Sequence, residues 1–351
     1  YVCGTDITRN ANKEIILTNT SSCSTMYTIK SVVNKKEGTT TLNGIETPLT
    51  IHSLSVYPYT QIERESDKSD KGLYVMTDDY GESYYFRGNV KNNYVYFADV
   101  YWRIIRINGD GSIRILYAGR TKDATNDELS IGKSAFNLEK SSPAYVGYMY
   151  GNIINDSYEQ NMSNEVDSTI KTIVDAWYEE NIVSRGLSEY IADPGFCNDR
   201  ELLIGTGIDS SAFSQFKGYE RLSNFTPSLQ CQNITRDLFT TSTSNTGNKA
   251  LRFPIGLITN DELIIAGLKI TTLNHLNYLY SGTNYWTMTP NSYDVSIGSA
   301  GVRRVYSDGG IYNGAVNSPL NNVRPVINLK PNVEISDGIG TAENPFMIKT
   351  V

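Results

Sequence analysis

Apolar and polar residues alternate along most of the chain, and two stretches replace that period with a helical one. Glu14-Ile15-Ile16-Leu17-Thr18, Met26-Tyr27-Thr28-Ile29-Lys30 and Leu54-Ser55-Val56-Tyr57 read as short strands, separated by turn-rich stretches over 19–24 and 34–43. Residues 63–71 carry alternating charges with no apolar anchor, the pattern of a solvated linker. A small β-rich module is therefore expected at 1–66 and a larger unit at 72–351. In the latter, Tyr84-Tyr85-Phe86-Arg87 and Tyr94-Val95-Tyr96-Phe97 read as paired strands. The alternating run 101–107 enters Asn108-Gly109-Asp110-Gly111 and continues into 112–117, a hairpin whose glycines supply positive φ. Val166, Ile170, Ile173, Val174 and Trp177 share one helical stripe. That spacing predicts a helix over 165–183, capped by Ser163 or Asn164 and stopped at Ser184-Arg185-Gly186. Thr259-Asn260-Asp261-Glu262 is a Thr-x-x-Glu capping box opening a second, shorter helix that ends at Gly267. Residues 186–256 between the helices read as loop. Strands return at 284–288, 302–306, 311–316 and 323–329, with Ser307-Asp308-Gly309-Gly310 as another hairpin turn. No β-α-β alternation occurs, so the fold class is α+β with a mainly antiparallel sheet. Trp102, Trp177 and Trp286 each fall in a periodic element and are expected in the core.

The 351 residues amount to about two ordinary domains. With 39% hydrophobic and 20% charged residues and a net charge of −7, the chain is too apolar to be disordered and too acidic for a general nucleic-acid binder. No apolar run is long enough to span a membrane or serve as a signal peptide. The chain opens on Tyr1 rather than Met, which reads as a processed or trimmed fragment, so that any anchor would lie upstream. Only two histidines occur, His52 and His275, which removes the commonest general base and metal ligand. The four cysteines permit three connectivities. Sequential pairing, Cys3–Cys23 and Cys197–Cys231, staples two moderate loops, each worth roughly 3–4 kcal/mol on the chain-entropy estimate. A zinc site is disfavoured, because neither Cys-x-x-Cys nor a histidine near a cysteine occurs. Disulfides imply an oxidising, extracellular compartment.

From about Gly72 to its end, some four-fifths of its length, the chain resembles an uncharacterised domain family of surface and secreted proteins in gut Bacillota. The residues carrying the resemblance include Gly72-Leu73-Tyr74, Tyr84-Tyr85-Phe86-Arg87-Gly88 and 101–112 (Tyr-Trp-Arg-Ile-Ile-Arg-Ile-Asn-Gly-Asp-Gly-Ser). Further matches are Val174-Asp175-Ala176-Trp177-Tyr178, Phe196-Cys197-Asn198-Asp199-Arg200, Pro254-Ile255-Gly256-Leu257-Ile258-Thr259, Tyr285-Trp286-Thr287-Met288 and Val323-Arg324-Pro325-Val326-Ile327-Asn328-Leu329. The closing segments are similar to a broader group with the C-type lectin fold, which includes formylglycine-generating enzymes and the variable target proteins of diversity-generating retroelements. The resemblance implies a C-type-lectin-like domain with two helices, preceded by the small all-β module. It also implies a ligand-binding surface between the framework strings 285–288 and 323–326, a stretch rich in Asn, Ser, Tyr, Asp, Gly and Arg.

The expected surface is 290–322, with Tyr293, Asp294, Arg303, Arg304, Tyr306, Asp308, Tyr312, Asn313 and Asn317 as its ligand-binding residues. Aromatic faces stack on sugars or apolar groups, and Arg, Asn and Asp supply adaptable hydrogen bonds. Because side chains alternate along a strand, Arg304 and Tyr306 share one face and Arg303 the other, so only one arginine reaches a given ligand. The competing expectation is an ordinary solvated hairpin rim. Asp78, Asp79 and Glu82 in one loop, and Asp199, Glu201 and Asp209 in another, read as solvated turn carboxylates rather than a calcium site. Thr289-Pro290-Asn291 is similar to the sugar loop of calcium-dependent lectins but lacks its flanking glutamate. Formylglycine-generating enzymes use paired cysteines near their terminal strands, and none follows Cys231 here; His275 lacks a nucleophile motif. The functional expectation is an extracellular, adhesin-like protein, not an enzyme, without metal or cofactor. Its partner would be a protein or glycan on another cell or surface, and any membrane anchoring would come from a segment outside this chain. The alternatives are a structural subunit of a surface appendage such as a pilus and a glycan-processing enzyme.

Overall fold

The computed structural model describes residues 73–350, apart from 154–156, 209 and 271–273, together with the backbone of six short strands between Asp6 and Pro58. The expected strand at 26–30 and the cysteines Cys3 and Cys23 lie outside the described residues. Gly38–Leu42 and Ile45–Leu49 pair as a hairpin, although 34–43 reads as turn; Asn43-Gly44 between them is the missed hairpin signal. Val56–Pro58 pairs in parallel with Leu73–Asp78, so the backbone of the N-terminal stretch reaches the edge of the larger sheet.

The protein is α+β, mostly sheet, with a curled and mainly antiparallel arrangement. Val100–Ile107 is the spine of the larger sheet. One edge pairs with Ile113–Tyr117 across the expected Asn-Gly-Asp-Gly turn. The other edge is shared. Its first half pairs with Tyr94–Phe97 and its second half with Gly81–Tyr85. The two strands expected to pair with each other thus pair with a common neighbour. The tight return between Phe97 and Val100 rests on positive φ at both Ala98 and Asp99, a conformation that an Ala-Asp dipeptide does not advertise. Within the Asn108–Gly111 turn, only Gly111 has positive φ (87°). Gly109 is required by close approach instead: a Cβ there would lie 2.4 Å from the amide of Gly81. Beyond Ile113–Tyr117 lies Val326–Leu329, itself covered at its outer edge by the short strand Ile191–Ala192, so this late segment is interior to the sheet.

A second sheet is built on Tyr285–Asp294, flanked by Ser299–Val305 and Ser214–Phe216. The expected strand at 284–288 continues six residues further, through Pro290 to Asp294. Proline is tolerated because the register shifts on both sides of it, which leaves its missing N–H unpaired at a bulge. Thr289-Pro290-Asn291 is therefore buried strand, not a sugar-binding loop.

The long helix is shorter than its stripe predicts. Thr169–Tyr178 is α-helical, Ser168 rather than Ser163 or Asn164 caps it, and Glu179–Val183 follows as one π-helical segment. Val166 is 41% exposed and lies in a short strand with Asp167 that pairs with Met149–Tyr150. Ile170, Val174 and Trp177 carry the burial. The capping box forms as expected, and Asn260–Ile265 is buried throughout. A further helix, Lys217–Asn224, arises inside the stretch expected to be loop. Trp102, Trp177 and Trp286 are all core.

The helix of the capping box is bound to the spine by charge. Glu262 accepts the amide of Thr259 at 2.9 Å through Oε2. Its Oε1 meets Arg106 Nε at 3.0 Å and Arg114 Nε at 2.5 Å. Arg106 also donates to Asp78 Oδ2 at 2.8 Å, and the same oxygen accepts the amide of Gly109. Burial alone pushes the Glu262 carboxyl up, but the two guanidiniums reverse this and hold it below its ordinary value. Glu262→Gln retains a capping oxygen yet removes the charge that both arginines face. It is expected to cost roughly 3–5 kcal/mol in urea unfolding, whereas a loss within about 1 kcal/mol would show the network to be energetically neutral.

Cys197 and Cys231 form a disulfide, as the sequential pairing anticipates. Replacing both by Ser opens that loop, and a stability loss of about 4 kcal/mol is expected from the chain-entropy relation. Denaturant midpoints of the reduced and oxidised wild-type protein provide the matching control.

Candidate functional site

The hairpin Ser299–Val305 and Ile311–Ala315 sets the expected surface, with Arg304 opposite Tyr312 and Arg303 opposite Asn313. Val302 and Val305 are fully buried, so the hairpin is fixed to the core and its turn projects. Tyr306, 39% exposed, meets Tyr312 edge to face at 5.4 Å. The Tyr312 hydroxyl donates to Asp308 Oδ2 at 2.9 Å, and this bond is the main cause of its raised pKa. The Arg304 guanidinium lies 5.2 Å from the Tyr306 ring and donates to Asn321 Oδ1 at 2.9 Å. Among the described residues its buried Nε has no partner. Arg304, Tyr306, Asp308 and Tyr312 therefore form one contiguous rim: two rings, a cation and an anion on a two-strand support.

The remaining expected residues do not join it. Tyr293 is buried, and its hydroxyl donates to the carbonyls of Ser141 and Ser210. Asp294 caps its own turn by accepting the amide and hydroxyl of Ser296. Arg303 is buried against Tyr219, with 5.3 Å between guanidinium and ring, and burial pulls its pKa down to about 10. Asn313 lies over Gly301 on the Arg303 face of the hairpin. Asn317 is exposed beyond the strand. Alternation correctly separates Arg303 from Arg304. What a single strand pattern does not reveal is that both faces of this sheet are covered, one around Trp286 and the other by the Lys217–Asn224 helix. Positions 290–293 and 299–303 are consequently mostly buried framework, and the turns at 294–298 and 306–310 with their flanks are surface.

The carboxylates expected to be solvated in two separate loops are instead brought together inside the protein. Asp78 and Asp199 are buried and, with Asp79, Asp261 and Glu262, line an internal cavity of about 40 Å³. Arg106, Arg114 and Arg221 line it too, and Arg221 bridges Asp199 at 2.6 Å and Asp261 at 2.7 Å. Glu82 is exposed, Glu201 pairs with Arg236, and Asp209 lies outside the described residues. Among the described residues no group of three or more His, Cys, Asp or Glu is placed to hold a metal ion. Five carboxylates meet three guanidiniums here, a joint between the two sheets in which acids outnumber cations. His275, exposed, stacks on Tyr280 at 4.8 Å. No helix among the described residues is long and apolar enough to cross a membrane.

No protein-family model, curated protein sequence or solved structure matches this chain.

Among the described residues Asp79 has no ion-pair partner; it accepts the amide of Cys231 at 3.0 Å. Burial pushes it up from 3.8 to about 6, helped by the neighbouring Asp78. The folded protein thus holds this proton more tightly than the unfolded chain, so its contribution to stability grows as pH falls through about 6 toward 3.8. Asp79→Asn removes that dependence. Calorimetry should find the variant melting above wild type at about pH 7.5 and the difference closing by about pH 4. A difference that stays constant with pH would rule out the assignment.

Proposed function

We propose that the protein is an extracellular, adhesin-like binding protein with a C-type-lectin-like fold, recognising a protein or glycan through the rim Arg304–Tyr306–Asp308–Tyr312. The observation that carries this reading is the pairing of an exposed Tyr306 with Tyr312 beside the Arg304 guanidinium. Tyrosine and arginine are the residues that most often supply binding energy at recognition surfaces. The support is rigid: Tyr312 is held by Asp308, Arg304 by Asn321, and the strand beneath by buried valines. A rim already in place avoids an ordering cost of about 0.5–1.5 kcal/mol per side chain on binding. The disulfide supports an oxidising, extracellular setting. The separation of buried strand positions 285–293 and 299–302 from exposed positions 306, 313 and 317 also suits a surface that tolerates sequence variation, as in retroelement target proteins.

Tyr306→Ala and Tyr312→Ala are each expected to weaken binding to host-cell surfaces or to glycan arrays by about tenfold or more, the scale of an interface hot spot. Melting temperatures should change little, because neither ring fills the core. Retained binding by both variants would defeat the assignment of the rim.

A further inference from the structure

Apart from the rim, one feature combines open volume, aromatic walls and uncompensated charge. Two adjoining depressions of about 380 and 400 Å³ share Tyr94, Arg103, Tyr278 and Tyr280. Volumes of this size take small molecules. Arg324 lines the first, and His275 and Lys91 line the second together with one acid, Glu343.

We propose that this groove is a binding site for a carboxylate-bearing sugar residue, of the sialic or uronic acid class. The charge is built in. Arg103 is buried beneath the groove, 3.9 Å from the Tyr94 ring centre and 5.3 Å from that of Tyr278. Its hydrogen bonds go to the carbonyl of Val90 and the amide oxygen of Asn93. Arg324, also buried, donates to the carbonyls of Tyr117 and Leu279. Neither has a carboxylate partner among the described residues, in contrast to Arg106, Arg114, Arg200 and Arg221. Burial pulls both below the ordinary arginine value, so an incoming anion meets two poorly compensated cations in a low-dielectric wall.

A second observation points to the same ligand. The Tyr278 side chain is more than nine-tenths buried and lines both depressions, yet among the described residues its hydroxyl has no hydrogen-bond partner. An unpaired buried hydroxyl costs free energy unless something completes it, and a ligand carboxylate or ring hydroxyl would. The rings of Tyr94, Tyr280 and His275 offer faces for the C–H side of a sugar. A bare inorganic anion would leave those faces unused, and polyanionic nucleic acid is opposed by the chain's net charge of −7. The groove adjoins the rim, because a Cβ on Gly309 of the hairpin turn would lie 3.3 Å from Tyr280 Cδ2. It does not depend on the rim, since none of its residues belongs there.

The test is a calorimetric or NMR titration of the full chain with 3′-sialyllactose and galacturonic acid oligomers, with lactose as the neutral probe. Saturable binding of at least one acidic sugar is expected, weakening with salt and at least about tenfold tighter than lactose. Tyr280→Ala should lower that affinity about tenfold with the melting temperature retained. Tyr278→Phe is the sharper variant. It removes a hydroxyl that nothing in the fold uses, so stability should hold or rise while affinity falls severalfold. A purely structural tyrosine would not separate the two. Absence of saturation by both acidic sugars, equal affinity for lactose, or unchanged affinity in Tyr278→Phe would overturn the proposal.

Discussion

The carboxylate of Glu262 closes a helix cap with one oxygen and holds Arg106 and Arg114 with the other. Two arginines on neighbouring strands of the larger sheet are thereby fastened to a helix that packs against the second sheet. Through Arg106 the connection passes to Asp78, and through Asp78 to the backbone of the Gly109 turn. A cap, an interstrand charge pair and a hairpin turn share one set of atoms. Desolvating five carboxylates and three guanidiniums is expensive, and only mutual pairing with good geometry offsets it. Such a joint has few alternatives of comparable energy, so it fixes how the two sheets meet more than it adds to total stability.

That fixed joint constrains where exposed polar surface can lie. Both sheets are covered on their faces, which leaves turns and loop edges as the places where polar side chains can face outward without losing packing. The 306–312 turn and the 275–282 loop are two such edges, side by side and each anchored to buried framework. Tyrosine dominates both. Its two side-chain torsions cost little to order, and its ring and hydroxyl meet apolar and polar partners alike.

Much of the framework was legible in the sequence, because its signals are local. The capping box at Thr259–Glu262, the Asn-Gly-Asp-Gly and Asp-Gly-Gly hairpins and the three core tryptophans follow from propensity and period alone. Errors arose where tertiary structure overrides the local pattern. Val166 continues the helical stripe but is claimed by a strand partner. The Ala98–Asp99 turn carries no glycine or asparagine to announce it. Pro290 reads as a loop residue, although a bulge admits it to a strand. For the site, alternation separates Arg303 from Arg304, but burial of Tyr293 requires knowing what covers the sheet. Asp78 and Asp199 lie in distant loops, and nothing local shows that their carboxylates converge on one cavity. The unpaired Tyr278 hydroxyl is likewise visible only once its surroundings are placed.

The strand Val326–Leu329 enters the middle of the larger sheet rather than its edge. Asn108 donates to Asn328 across 220 positions of chain, and Arg324 to the carbonyl of Tyr117 across 207. The chain therefore cannot complete its larger sheet until residues 326–329 are available to pair. Until then the inner edge of Ile113–Tyr117 stays open, and closure must wait for a slow, long-range encounter. The delay leaves strand edges exposed until that segment docks, the stage at which aggregation or chaperone capture competes with folding.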